Sequence, residues 1–309
     1  MNGQARSWSA SPILPNCIIC GAPKAGTSAL HLWLSDHPEV LGTSEKETYF
    51  FVDPGTHMHR PQIHISNGYE GFSRYVPADE IGDQKILIES TPSYIYYQTA
   101  IDTIPQLPTS PRCIFVLREP AQQIYSLFSY FKNNWSWIPS SMGFADFLTA
   151  IRIPPDPGVF KGNELAANAL ANARYVDFLL RWRERIGNER MLVIAYEELR
   201  DHPVETAAAV ARWLGIDSTF FANYTFPRDN ETYMPRSGTL QRVNVSLREK
   251  LPKGKLYRLA RGLYRRLNTR KPSGATSLEQ QIMADLAMEY AEPNARLRRE
   301  FQLALDGWS

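Results

Sequence analysis

Cys17-Ile18-Ile19-Cys20-Gly21-Ala22-Pro23-Lys24-Ala25-Gly26-Thr27-Ser28 is the stretch on which the fold turns. Its opening apolar run, residues 17–20, has the character of a short buried strand. Two glycines, a lysine and two adjacent hydroxyls follow, and residues 28–36 then read as a helix. That helix stops at His37-Pro38, because proline disfavours helical backbone in the residue before it. A strand, a glycine turn and a helix in succession make a phosphate-binding corner. Glycines let the chain turn sharply and bring its N–H groups to an anion. The helix N-terminus adds unsatisfied donors and a favourable dipole. Thr27 and Ser28 contribute hydroxyls, and Lys24 a point charge. The corner is not a Walker A loop, whose lysine follows the second glycine. Here Lys24 precedes Gly26, and the next strands carry no evident magnesium acid beyond Glu89.

Outward from this corner the same alternation continues. Residues 86–89, 113–117 and 191–195 read as strands, and 121–132, 163–186 and 203–214 as helices. The predicted fold class is α/β: a single domain with a central parallel sheet flanked by helices and a P-loop-like loop. Such sheets hold ligands at the carboxyl ends of their strands. Residues 53–69 and 226–238 break the pattern, as functional loops often do. Residues 247–271 are crowded with Lys and Arg. Within them, 255–267 places Leu256, Leu259, Leu263 and Leu267 on one helical face and Arg258, Arg261 and Arg265 opposite. A basic amphipathic face of this kind suits peripheral contact with an anionic membrane or an anionic acceptor, or simply a solvated surface.

Composition narrows the class. The 309 residues are 43% hydrophobic and 21% charged, which excludes a disordered tail protein and a small disulfide scaffold. A net charge of only +2 excludes a generally basic nucleic-acid binder. Cys17, Cys20 and Cys113 are too few for a disulfide framework and point to a reducing compartment. Cys17 and Cys20 fall on opposite faces of one strand, so they read as core thiols rather than a metal or redox pair. Residues 1–15 are expected to be a flexible N-terminus without a signal-peptide core, and no apolar run of membrane-spanning length occurs. The expected location is cytoplasmic.

At this point the motifs become specific. Pro23-Lys24-x-Gly26-Thr27-Ser28 at a strand–helix junction resembles the 5′-phosphosulfate loop of the PAPS-dependent sulfotransferases. Phe115-Val116-Leu117-Arg118-Glu119-Pro120, followed by Ser126, resembles their 3′-phosphate motif. Lys46-Glu47-Thr48-Tyr49-Phe50-Phe51 and Glu89-Ser90-Thr91-Pro92-Ser93-Tyr94 resemble segments of the carbohydrate branch, heparan sulfate enzymes included. Several of those enzymes carry a lysine where this chain has Ser90. The resemblance is good over residues 16–215 and looser near 290–297. It makes 16–309 the expected sulfotransferase domain.

The resemblance implies in-line transfer of a sulfuryl group from PAPS to a hydroxyl or amine, without a metal. The acceptor class it implies is a glycan, a glycolipid or a small hydroxylated metabolite. Lys24 and Glu47 would be catalytic, with Glu47 the base. Lys24, Ala25, Gly26, Thr27, Ser28, Arg118 and Ser126 would hold the donor, with Arg236, Ser237 and Gly238 in a late loop over its 3′-phosphate. The cytosolic branch uses a histidine base, which makes His57, His59 and His64 rivals to Glu47. Plain structural readings also exist. Arg118 could pair with Glu119 or Asp102, Glu47 with Lys46 or Lys85, and Tyr49, Phe50 and Phe51 could be core. The competing functions are a P-loop-type nucleotide kinase and a non-catalytic relative that binds the donor or its bisphosphate product.

Overall fold

The apolar runs pair into one parallel sheet in the computed structural model, which describes residues 12–153, 158–227, 234–235, 269–270 and 274–308. Its strands are β1 (Cys17–Gly21), β2 (Val40–Gly42), β3 (Ile86–Ser90), β4 (Arg112–Leu117) and β5 (Met191–Ala195), in the order β2-β3-β1-β4-β5. Cys17 lies between Ile88 of β3 and Arg112 of β4, and Cys113 is level with Met191 of β5. β1 is the centre of the sheet. The chain leaves it first toward β2 and β3 and later toward β4 and β5, so the strand order reverses at β1. A crevice at such a reversal is where open α/β sheets take ligands. The strands are buried on both faces because helices cover both, which is why they read as continuous apolar runs rather than alternating ones.

The described residues fall into two compact units. The first comprises Met1–Pro120, Arg174–Asn230 and Tyr290–Ser309 and contains the sheet. Its helices include α1 (Thr27–Ser35), α2 (Gln98–Thr103), and further on α7 (Tyr175–Ile186), α8 (Tyr196–Asp201), α9 (Pro203–Leu214) and α11 (Ala291–Phe301). Trp182 of α7 is fully buried, packs edge-on to Phe115 at 5.3 Å and donates its indole N–H to the Ile95 carbonyl at 3.1 Å. The second unit comprises Ala121–Ala173 and Glu231–Glu289. It holds most of α3 (Pro120–Tyr130), α4 (Phe144–Arg152), α5 (Glu164–Ala167), α6 (Ala169–Asn172) and α10 (Ser277–Met288). Phe128, Phe144, Phe147 and Tyr125 form its aromatic core. Thr276 and Glu279 close a capping box at the start of α10.

Three sequence expectations are corrected. β2 escaped notice because a three-residue strand carries almost no periodicity. The single helix expected over 163–186 is three pieces, α5, α6 and α7, because Asn163 caps α5 and Asn168 and Arg174 leave helical geometry between them. The helix expected to reach 132 ends at Tyr130 in a π turn, Phe131–Trp135, closed by Ser136 in the left-handed region. Cys17, Cys20 and Cys113 are buried free thiols, as their place on the strands requires. No described helix is long and apolar enough to cross a membrane.

Candidate active site

The turn after β1 is shaped by what surrounds it. Gly21 ends the strand against Ile95, where any Cβ would lie 2.7 Å from the Ile95 Cβ. Gly26 caps α1 with φ +86°, and a Cβ there would lie 2.9 Å from the Tyr196 ring. Both the backbone angle and the close ring demand glycine. Gly26→Ala should therefore cost about 2–5 kcal/mol, from left-handed strain and overpacking together. A urea midpoint unchanged in that variant would refute this account of the corner.

The N-cap of α1 is Gly26, so no side chain caps its first-turn N–H groups. Lys24 also adopts the left-handed region, φ 67°. Burial pulls its ammonium down to about 8, with Arg118 and Lys46 adding to the effect and Glu47 opposing it. Lys24 follows β1, and these neighbours follow two other strands, β2 and β4. Glu47 follows β2, and its N–H donates to the Ser90 carbonyl at the end of β3 at 2.9 Å. Arg118 follows β4; its guanidinium lies 5.0 Å from the Tyr196 ring centroid and donates weakly to the Lys24 carbonyl at 3.5 Å.

Glu47 is itself in the left-handed region, φ 66°, as is Tyr49, φ 53°. Non-glycine residues held there store strain, and such strain gathers at functional sites. Lys46 donates to Glu47 Oε1 at 3.0 Å, and the Tyr49 hydroxyl donates to Oε2. Burial raises the Glu47 carboxyl, but Lys46, Tyr49 and Lys24 outweigh it and hold it below the ordinary carboxylate range. The side chain keeps 37% of its surface exposed.

The structure thus brings Lys24, Glu47 and Arg118 together. The rival pairings have other partners: Lys85 bridges Glu39 and Asp102 bridges Arg185, while Glu47 does pair with Lys46. Phe50 and Phe51 are core, as read from sequence. Tyr49 is not simply core, and its bond to Glu47 had no sequence signal beyond proximity. His64 is committed: Nδ1 accepts from the Ser66 N–H, so Nε2–H donates to the Val52 carbonyl at 2.7 Å. His59 Nδ1 accepts from the Gly55 N–H. His31, unremarked in the sequence, is buried on α1, and burial holds it neutral, at about 3, near Lys46 and Glu47. Ser126 is half-buried on α3 in the second unit. Arg236, Ser237, Gly238 and the basic segment 255–267 lie outside the described residues. Among the described residues no group of three or more His, Cys, Asp or Glu side chains is placed to hold a metal.

Residues 14–256 match the family described as "Sulfotransferase domain". The bifunctional heparan sulfate N-deacetylase/N-sulfotransferase 2 of Bos taurus is 26% identical over 217 residues, which cover 69% of this chain and 23% of that protein. The membrane-associated sulfotransferase kil1 of Dictyostelium discoideum is 29% identical over 126 residues, 40% of this chain and 24% of that protein. The chain therefore corresponds to about a quarter of the length of these curated relatives. A sulfotransferase from Alicyclobacillus acidocaldarius superimposes with a TM-score of 0.64 and 18% identity, covering 96% of this chain and 98% of that one, which establishes the shared fold. A match over residues 14–256, on a five-stranded parallel sheet whose central strand turns through Gly21 and Gly26 into α1, makes this protein a member of the sulfotransferase family.

Proposed function

We propose that the protein transfers the sulfuryl group of PAPS to a hydroxyl or amine of a glycan or glycolipid acceptor. The observation that carries this reading is the convergence of Lys24, Glu47 and Arg118 beyond the carboxyl ends of β1, β2 and β4. The names of the heparan sulfate relatives favour a sugar acceptor. The residues present suit the donor: uncapped donors on α1 and a cation at Lys24 for the 5′ side, and a second cation, Arg118, for a 3′-phosphate that ATP lacks. When bound, PAPS supplies a sulfuryl group already activated by its phosphate.

In this reading Glu47 accepts the proton of the attacking hydroxyl as the acceptor oxygen bonds to sulfur. The bond from sulfur to the bridging oxygen breaks, and its electron pair remains on the departing phosphate. Lys24 faces that growing charge, a preorganised electrostatic contribution of the kind that dominates many transfers. Labelled sulfate should pass from PAPS to a glycan in an acceptor panel. Adenosine 3′,5′-bisphosphate should raise the melting temperature without magnesium, and ATP should do little. Stabilisation by magnesium-ATP alone, with no sulfate transferred, would favour a nucleotide kinase instead.

Arg118→Ala should weaken bisphosphate binding roughly 10- to 100-fold, since hydrogen bonds to charged groups are worth about 1.5–3 kcal/mol. Calorimetric titration measures this directly. Wild-type affinity in the variant would remove Arg118 from the 3′-phosphate.

A further inference from the structure

The turn that carries Glu47 is held from behind by one buried carboxyl that the reaction does not use. Glu89, at the end of β3, is fully buried. Its Oε1 accepts from the Thr48 hydroxyl at 2.9 Å, the Thr91 hydroxyl at 2.6 Å and the Thr48 N–H at 3.4 Å. Each threonine hydroxyl has one proton, and both protons are spent on Glu89. Their lone pairs must then face the other way. Thr91 Oγ1 accepts the Tyr49 N–H, and Thr48 Oγ1 accepts the Phe50 N–H, each at 3.3 Å. The Tyr94 hydroxyl, 3.1 Å from Thr48 Oγ1, is left as the donor of that pair, and its oxygen accepts the Phe51 N–H at 3.3 Å. The backbone N–H groups of Thr48, Tyr49, Phe50 and Phe51 are thus fixed in direction by a single acceptor, directly or through one or two hydroxyls.

We propose that Glu89 is a positioning residue for Glu47, setting the direction of the hydrogen bonds that hold the 48–51 backbone and so fixing Tyr49 and the Glu47 carboxylate it binds. The inference rests on the reading of Glu47 as the base. The strained angles at Glu47 and Tyr49 need such an anchor, since neither residue favours the left-handed region by itself. Burial pushes the Glu89 carboxyl up to about 7, against the opposing pull of Thr91, Thr48 and Lys46. Oε2 is buried without a hydrogen-bond partner among the described residues. A proton taken up there would leave Oε1 an acceptor, so the network keeps its direction in either state. An acceptor oxygen is the property that matters, and glutamine supplies one at the same place.

The test is a double-mutant cycle between Glu89→Leu and Glu47→Gln, with Glu89→Gln as the conservative control. Glu89→Leu should lose about 100-fold in kcat while binding adenosine 3′,5′-bisphosphate within twofold of wild type. Glu89→Gln should recover at least a tenth of wild-type kcat. In the Glu47→Gln background Glu89→Leu should cost less than about threefold further, because the group it positions has already lost its basicity. Wild-type kcat in Glu89→Leu would overturn the proposal, as would its full loss persisting on top of Glu47→Gln. Full activity in Glu47→Gln alone would instead overturn the base assignment on which the proposal rests. Should Glu89→Leu not fold, Thr91→Val takes its place in the cycle. It removes one donor to Oε1 and the acceptor of the Tyr49 N–H, and about a 10-fold loss in kcat that vanishes in the Glu47→Gln background is expected; a loss that persists there would overturn the proposal equally.

Discussion

Lys24→Ala should lower kcat by about 10²–10³-fold, the usual effect of deleting one preorganised charge or donor at a transferring group. Bisphosphate affinity should fall much less, because the uncapped first turn of α1 and Arg118 remain. An interaction made mainly in the transition state lowers kcat rather than binding. The same lysine gives a pH signature. Burial lowers it to about 8, so the charged form prevails below that pH and is lost above it. In the wild type, kcat/KM for the donor should decline as pH rises through about 8. Lys24→Arg keeps its charge over that range and should lose the alkaline decline, whatever its absolute rate. Stopped assays with labelled PAPS between pH 6 and 9.5 measure both effects. A Lys24→Ala enzyme within threefold of wild type would remove the lysine from the chemistry.

Glu47→Gln should reduce kcat by about 10²–10⁴-fold while leaving the melting curve and bisphosphate affinity near wild type. Glutamine keeps the size of the side chain and an acceptor for Lys46 or Tyr49, and removes only the basicity. Lys46, Tyr49 and Lys24 hold the carboxyl below its ordinary range despite burial, so it is an anion at neutral pH. Activity should therefore fall with acid only below the usual carboxylate range. Full turnover in Glu47→Gln with loss in His57→Ala or His59→Ala would move the base to the histidine-rich loop. His64 is a poor candidate, since both its ring nitrogens are occupied by Val52 and Ser66.

Elements whose chemistry is local are legible in the chain before it folds. Apolar runs as short as residues 17–20 and 113–117 declare buried parallel strands, because a strand covered on both faces has no polar positions. The corner from β1 into α1 was legible because Gly21, Lys24, Gly26, Thr27 and Ser28 lie within eight residues, and a turn followed by a helix N-terminus is a property of neighbouring residues. Arg118 was legible for the same reason, at the end of one strand and the start of one helix. Features that depend on residues distant in the chain emerge from the folded arrangement. It placed β2 at the sheet edge, split 163–186 into three helices, and set Tyr196 against Gly26 from 170 positions later. It also turned Glu89, in the sequence only a poor magnesium acid, into the acceptor that holds Thr48 from 41 residues away. Hydrogen-bond direction and burial are properties of groups brought together from separate strands. No spacing along the chain encodes them, and they are what decide that Lys24 is a weakened ammonium, Glu47 a strained anion and Glu89 a buried acceptor.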